Sequence, residues 1–294
     1  MAKDKLNTHI SIIIPAYNEE QGILSVIREI HNAFDDSPFH YEIIVVDDGS
    51  TDSTAEKVKR TNARLIKHSE NMGYGAAIKT GLNSSKYDII VITDGDCTYP
   101  NNSIPELLHY IGEYEMVVGA RIGDRVKIPT IRKPAKWIIN QLANFLCGKK
   151  IPDLNSGLRV LKKPIVKQFI PLLPDGFSFT TTISLAMLTN GYSVKYVPIN
   201  YKERIGKSKI RPIRDTLNFF QLIIRTVLYF NPLKIFIPTS LFILFISILM
   251  ILYRVFISKA FGSVSVIFFV LSIQLLALGM IADLINKRMS MNDR

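Results

Sequence analysis

Cysteine is scarce in this chain: only Cys97 and Cys147 occur, with neither metal-ligand spacing nor the makings of a disulfide framework. That excludes a cysteine-based metal module and a disulfide-stapled scaffold, and it suits a reducing compartment. The amino terminus is polar from Ala2 to His9 and lacks the apolar core of a signal peptide, so no such leader is expected. Charge is missing from two long stretches, Ile235 to Tyr253 and Val264 to Ala282. Each approaches the ~20 apolar residues needed to cross a bilayer, and neither shows the polar face that a long helix of a soluble protein would carry. Two transmembrane helices are expected, with Pro238 tolerated near the start of the first. A nucleic-acid motif is also missing, although the formal net charge is +11. The basic residues gather near the hydrophobic runs, so the charge fits an anionic membrane surface and no nucleic-acid partner is expected.

Only a short turn, Arg254 to Ser263, separates the two runs, while Lys and Arg crowd the stretch before them and Lys287, Arg288 and Arg294 follow. Positive-inside bias then makes this an integral membrane protein with both termini, and the domain ahead of the hairpin, on the cytoplasmic side. At 294 residues and 48% hydrophobic content there is room for one large or two modest domains.

Residues 10 to 100 alternate strand and helix in the way that builds a parallel sheet, giving an α/β class. Strands are expected at Ile10 to Ile14, Glu42 to Val46, Leu65 to His68 and Asp88 to Thr93; helices at Glu19 to Phe34, Ser53 to Thr61 and Ala76 to Ser84. A polar cluster follows each strand: Pro15-Ala16-Tyr17-Asn18-Glu19-Glu20, Asp47-Asp48-Gly49-Ser50, Asn71-Met72-Gly73-Tyr74-Gly75 and Asp94-Gly95-Asp96. Ligands of open α/β sheets bind at the carboxyl ends of the strands, so the four clusters should share one crevice. Tyr17 can pack beside a nucleobase, Glu19 and Asp47 can accept hydrogen bonds from base or ribose, and Gly73-x-Gly75 permits close backbone approach. Each cluster alone also reads as a turn or helix cap. The glycine pair lacks the third glycine of a dinucleotide fingerprint.

Asp94 and Asp96 end an apolar strand as two carboxylates one residue apart. A hard cation such as Mg²⁺ or Mn²⁺ takes one or two carboxylates and leaves its other positions to water and phosphate, so the pair is a candidate metal and diphosphate site. An isolated Asp-x-Asp is equally compatible with a solvated turn that caps the next helix.

Taken together, Pro-Ala-Tyr-Asn-Glu-Glu at 15–20, Val-Val-Asp-Asp-Gly-Ser at 45–50, Asn-x-Gly-x-Gly at 71–75 and Asp-Gly-Asp at 94–96 resemble the inverting family 2 glycosyltransferases of GT-A fold, in particular the polyprenyl-phosphate group. The likeness covers about Ile10 to Lys209, and the hairpin matches members with two transmembrane helices. It implies a GT-A catalytic domain over 1–210, an interfacial helix over 211–232, and a transmembrane hairpin with cytoplasmic tail over 233–294. It further implies that Pro15, Ala16, Tyr17, Asn18, Glu19, Asp47, Asp48, Gly73, Gly75, Asp94, Gly95 and Asp96 hold the donor, with Asp94 and Asp96 on the metal. Arg121 resembles the family arginine near the phosphates. Where mannose synthases of the group carry a glutamine able to reach the metal, this chain has Thr98.

The stretch Ile151-Pro152-Asp153-Leu154-Asn155-Ser156-Gly157-Leu158-Arg159 resembles the family's acceptor-side loop, which makes Asp153 the first carboxylate to consider there, a turn or cap aspartate being the alternative. Asp96, Asp153 and Arg121 are thus the candidate catalytic residues. Arg204, Ser208 and Lys209 are similar to the family's basic stretch and are candidates to cradle the acceptor phosphate, a solvated basic loop being the alternative. Ile213 to Phe230 reads as an amphipathic helix at the membrane interface or against the catalytic domain. The implied activity is inverting transfer of a hexosyl unit from a UDP- or GDP-linked sugar to a polyprenyl phosphate, and a homo-oligomer is compatible with it. A processive polysaccharide synthase is a rival, but Trp137, the only tryptophan, has no Gln-x-x-Arg-Trp context. A non-catalytic sugar-nucleotide-binding adaptor is the other.

The charge bias gives a direct test. In sealed cells carrying a cysteine-free background, a single cysteine at Ser263 should react with an impermeant thiol reagent and one at Ser290 should not. Labelling at Ser290 alone would invert the topology.

Overall fold

In a computed structural model of the chain, the described residues are 9–35, 37–122, 140–145, 147–176, 178–201, 221, 224–225, 228–229, 231–258 and 263–292. The chain divides into two compact units, Met1–Phe220 and Gln221–Arg294. The first runs β1 (His9–Ala16), α1 (Ile23–Phe34), β2 (His40–Asp47), α2 (Thr54–Val58), β3 (Arg64–Lys67), α3 (Tyr74–Ser84), β4 (Ile89–Ile92), α4 (Ile104–Leu108), β5 (Met116–Ala120), β6 (Arg159–Lys162), α5 (Lys163–Phe169), α6 (Phe179–Thr189) and β7 (Val194–Pro198).

The strands form a seven-stranded sheet of order β3-β2-β1-β4-β6-β5-β7, parallel except for β6. The central strands read as nearly unbroken Ile and Val because both faces are covered. Period-2 alternation sends Ile10, Ile12 and Ile14 of β1, with Ile43 and Val45 of β2, into one cluster with the α1 residues Ile23, Val26, Ile27, Ile30 and Phe34. Those α1 positions follow the 3, 1, 3, 4 spacing of a helix with one apolar face. On the opposite face, Ile44 and Val46 pack with Ala77 of α3.

The expected alternation of strands and helices over residues 10–100 is present; most boundaries shift by one to three residues, and the largest displacement is at the start of α1. Helix α1 starts at Ile23 rather than Glu19 because Pro15 and Ala16 still pair with Val46 and Asp47, and Asn18 then takes a left-handed conformation (φ 55°). Asparagine tolerates that conformation better than most residues. The Glu19 carbonyl accepts the N–H groups of Gly22 and Ile23, making the turn into the helix.

Strand β6 decides what faces the site. It runs antiparallel between β4 and β5, with Arg159 opposite both Ile92 and Val118. Its entry loop, 153–158, therefore reaches the edge where β4 and β5 exit. β1 and β4 are neighbours whose onward connections diverge, which is the switch point where such sheets bind ligands.

In the second unit, α7 (Leu233–Tyr253) and α8 (Ser263–Asn292) are, among the described residues, the two helices long and apolar enough to span a bilayer. Helix α8 continues beyond the expected Ala282 because charge ends the apolar run and not the helix; Asp283 and Lys287 pair at 2.8 Å one turn apart. Among the described residues of these helices the buried positions are Ser240, Ser247, Ser265, Ser272 and Gly279, with the Ser247 hydroxyl donating to the Ser265 carbonyl at 2.9 Å, while Phe242, Phe245 and Leu284 face outward. Small residues at the seam and large apolar ones outside are what lipid-facing helix pairs require. The expected interfacial helix over 211–232 lies largely outside the described residues.

Helix α3 crosses the sheet at Gly81, where an added Cβ would lie 2.4 Å from Ile13 Cγ2. Gly81→Ala gains about 1 kcal/mol of helix propensity but overpacks a stiff, fully buried isoleucine, a cost of about 1–3 kcal/mol. The variant should melt below wild type in detergent, and an unchanged or raised midpoint would contradict this packing.

Candidate active site

The site is built where the four loops lock together. Asp48 N–H donates to the Ala16 carbonyl at 2.8 Å, Asn18 N–H to Ser50 Oγ at 2.9 Å, and Thr51 N–H to Asn18 Oδ1 at 2.9 Å. Glu19 N–H reaches Thr54 Oγ1 at 2.9 Å. The loops after β1 and β2 thus hold Tyr17 and Glu19 half-buried.

Asp47 is fully buried, and its Oδ1 accepts the Ser50 N–H at 3.1 Å. Its Oδ2 has no hydrogen-bond partner among the described residues. A buried acceptor left unmade costs about 1–3 kcal/mol, so this oxygen suits an incoming N–H or O–H donor. The neighbouring Asp48 is committed internally: it accepts the N–H groups of Met72 and Gly73 at 2.9 and 2.8 Å and meets His68 Nδ1 at 2.7 Å. It is an anchor for the 71–75 loop. Gly73 (φ 108°) and Gly75 also have a structural reason, since an added Cβ would lie 2.5 Å from the Asp175 carbonyl oxygen and 2.2 Å from that of Pro174. The close approach they permit here is to the chain's own backbone.

Asp94 and Asp96 are both half-buried at the end of β4. Tyr74 Oη donates to Asp94 Oδ1 at 2.8 Å, and Gly157 backs the same carboxylate so closely that a Cβ would lie 2.8 Å from Oδ2. Burial, then the Asp94 charge, push the Tyr74 phenol well above its ordinary pKa, so it remains a donor. Thr98 N–H and Oγ1 donate to Asp96 Oδ1 at 3.2 and 2.6 Å. No group of three or more His, Cys, Asp or Glu that could hold a metal occurs among the described residues. A two-carboxylate site fits a hard cation that shares its coordination with phosphate.

Arg121 and Asp153 meet directly. Arg121 Nε donates to Asp153 Oδ2 at 2.7 Å, a terminal guanidinium nitrogen to Oδ1 at 2.8 Å, and the Arg121 backbone N–H to Oδ2 at 3.0 Å. Burial works to raise the Asp153 pKa, but the Arg121 hydrogen bonds and charge outweigh it and bring it down to about 2. Burial likewise opposes the Arg121 charge, and Asp153 with the nearby Tyr99 and Tyr201 more than restores it. A carboxylate that acidic orients groups; it is a poor proton acceptor near neutrality.

Several contributors escaped sequence reasoning. Tyr74 lay hidden as the variable residue between two glycines. Tyr99 accepts the Gly157 N–H at 2.6 Å, and Tyr201 lies under the Arg121 guanidinium at 5.3 Å. Arg159 is fully buried, donating to the Ser156 and Leu154 carbonyls and to Ser184 Oγ at 2.7, 3.2 and 2.8 Å. Arg204, Ser208 and Lys209, the candidate acceptor cradle, lie outside the described residues.

Residues 11–170 match the family model described as glycosyl transferase family 2. Residues 231–287 match one described as GtrB C-terminal hairpin. The chain is 32% identical over 205 residues to dolichyl-phosphate hexose transferase of Haloferax volcanii, spanning 69% of this chain and 87% of that protein. It is 29% identical over 242 residues to undecaprenyl-phosphate 4-deoxy-4-formamido-L-arabinose transferase of Salmonella choleraesuis, spanning 77% and 69% of the two. Among solved structures, glucosyl-3-phosphoglycerate synthase of Mycobacterium tuberculosis in complex with UDP superposes with a TM-score of 0.59 at 20% identity, over 75% of this chain and 80% of that one. The same synthase with Mg²⁺ and UDP gives a TM-score of 0.59 at 20% identity, over 75% and 79%. The chain belongs to glycosyl transferase family 2: it is a glycosyltransferase with a GT-A fold and two candidate membrane-spanning helices.

The Arg121–Asp153 pair carries a pH signature. Because the folded Asp153 pKa lies below its ordinary value, its stabilisation is complete above about pH 4 and is lost as pH falls through about 2. The stability difference between wild type and Asp153→Asn in detergent should be flat above about pH 5 and shrink by about 2 kcal/mol toward pH 2. A pH-independent difference would exclude the pair as drawn.

Proposed function

We propose that the chain transfers one hexosyl unit from a UDP- or GDP-linked sugar to a polyprenyl phosphate at the cytoplasmic face of a membrane, inverting the anomeric carbon. The observation that carries this reading is the convergence of Asp94, Asp96, the Asp47 oxygen that has no partner among the described residues and the Arg121–Asp153 pair on one edge of a family 2 sheet. The chain's apolar carboxy-terminal helices and the names of both relatives, each built on a polyprenyl phosphate, support the lipid acceptor. In this layout 1–210 is catalytic, 211–232 lies at the interface and 233–294 anchors.

Asp47 Oδ2 receives a donor of the nucleoside, and Tyr17 and Glu19 flank it. Asp94 and Asp96 hold Mg²⁺ or Mn²⁺ against the diphosphate. When bound, such a cation neutralises the charge that builds on the departing nucleotide diphosphate. Arg121 and Asp153 act as a locked pair that shapes the acceptor side, and Arg204, Ser208 and Lys209 receive the lipid phosphate. A phosphate monoester is already largely ionised near neutral pH, so the attacking oxygen needs no strong base, in keeping with the low pKa of Asp153.

The deciding experiment presents the purified protein with a panel of UDP- and GDP-sugars plus polyprenyl phosphate and reads the lipid by mass spectrometry. One donor should yield a glycosylated lipid phosphate, and excess chelator should stop it. Asp96→Asn should lose at least about a hundredfold in rate while remaining folded. Failure of every donor, or turnover persisting in chelator, counts against the reading.

A further inference from the structure

Each carboxylate of the Asp94–Asp96 pair rests on a hydroxyl supplied by this chain. Tyr74 Oη lies 2.8 Å from Asp94 Oδ1, and Thr98 Oγ1 lies 2.6 Å from Asp96 Oδ1. Both donors are held firmly. Thr98 is fully buried. Tyr74 opens α3 directly after Met72 and Gly73, whose N–H groups Asp48 grips. Gly157 packs against the Asp94 carboxylate, where an added Cβ would lie 2.8 Å from Oδ2 and 2.9 Å from Oδ1. An aspartate with one oxygen fixed by an internal donor has its orientation set before any ligand arrives, which is how hydroxyl and amide partners tune ligating carboxylates.

We propose that Tyr74 and Thr98 are positioning residues that orient Asp94 and Asp96 toward the divalent cation of the donor complex. This rests on the metal role assigned to the two aspartates above. Its consequence is that the protein alone offers the cation few ligands, since no third His, Cys, Asp or Glu gathers there among the described residues. Diphosphate and water must supply the remaining positions of a six-coordinate ion. The cation should therefore bind with nucleotide far better than by itself. Thr98 contributes by aiming Asp96 and not by ligating.

The test uses the full-length protein in detergent and follows Mn²⁺ binding by electron paramagnetic resonance, with no nucleotide, with UDP and with GDP. Wild type should bind Mn²⁺ at least about tenfold more tightly with one nucleotide than without. Tyr74→Phe and Thr98→Val should each weaken that nucleotide-dependent binding about tenfold or more, the usual cost of losing such a partner. Thr98→Ser, which keeps the hydroxyl, should stay within about twofold of wild type. Nucleotide binding in excess chelator should be unchanged in all three. Wild-type Mn²⁺ affinity in both Tyr74→Phe and Thr98→Val, or equal loss of metal-free nucleotide binding, would overturn the proposal. If Tyr74→Phe does not fold, the Val and Ser variants of Thr98 decide it. Asp96→Asn separates the two levels: wild-type Mn²⁺ binding in that variant removes the metal reading itself, whereas its loss beside intact binding in Tyr74→Phe and Thr98→Val removes only the positioning roles.

Discussion

The structure turns on the placement of β4, a four-residue buried strand with parallel β1 on one side and antiparallel β6 on the other. Parallel pairing sends the exits of β1 and β4 to the same edge. Antiparallel pairing brings the entrance of β6 there too. Were β6 parallel, the 153–158 loop would lie at the opposite edge of the sheet and Asp153 could not reach Arg121. The reversal of one strand therefore joins the loops proposed for the donor to the loop proposed for the acceptor.

Charge at this edge is managed in two different ways. Arg121 and Asp153 neutralise one another in a bidentate pair, with backbone N–H groups completing the carboxylate's hydrogen bonds. Such burial is tolerable only because geometry and added hydrogen bonds offset desolvation. Asp94 and Asp96 instead accept neutral hydroxyls from Tyr74 and Thr98, which orient a carboxylate without cancelling its charge. The first arrangement stiffens a loop. The second fixes the direction in which each carboxylate points.

The two units obey different solvents. In the sheet unit, apolar side chains fill both faces and polar groups collect at the strand ends. In the hairpin the pattern reverses, with serines inward and Phe242, Phe245 and Leu284 outward. Lipid exerts no hydrophobic pressure toward the helix seam, so close approach and hydrogen bonding decide it. Gly279 permits that approach, since an added Cβ would lie 2.5 Å from Phe236 Cβ.

Much of this was legible in the chain because strands β1 to β4 follow one another in sequence and their apolar runs end abruptly in polar clusters. Local pattern alone therefore determined the α/β class, the four loops, the Asp94–Asp96 pair and the two charge-free helices. The remainder depended on contacts between residues far apart in sequence. Nothing near Tyr74 foretells that its hydroxyl meets Asp94, because that contact requires α3 and β4 to be set on the same sheet edge. Asp153 gave no sign of its partner for the same reason: its meeting with Arg121 follows from the antiparallel register of β6. Likewise, Asp47 and Asp48 are adjacent and chemically identical, yet successive side chains of a strand end point opposite ways, and tertiary packing left one with an oxygen that has no partner among the described residues while binding the other to His68, Met72 and Gly73.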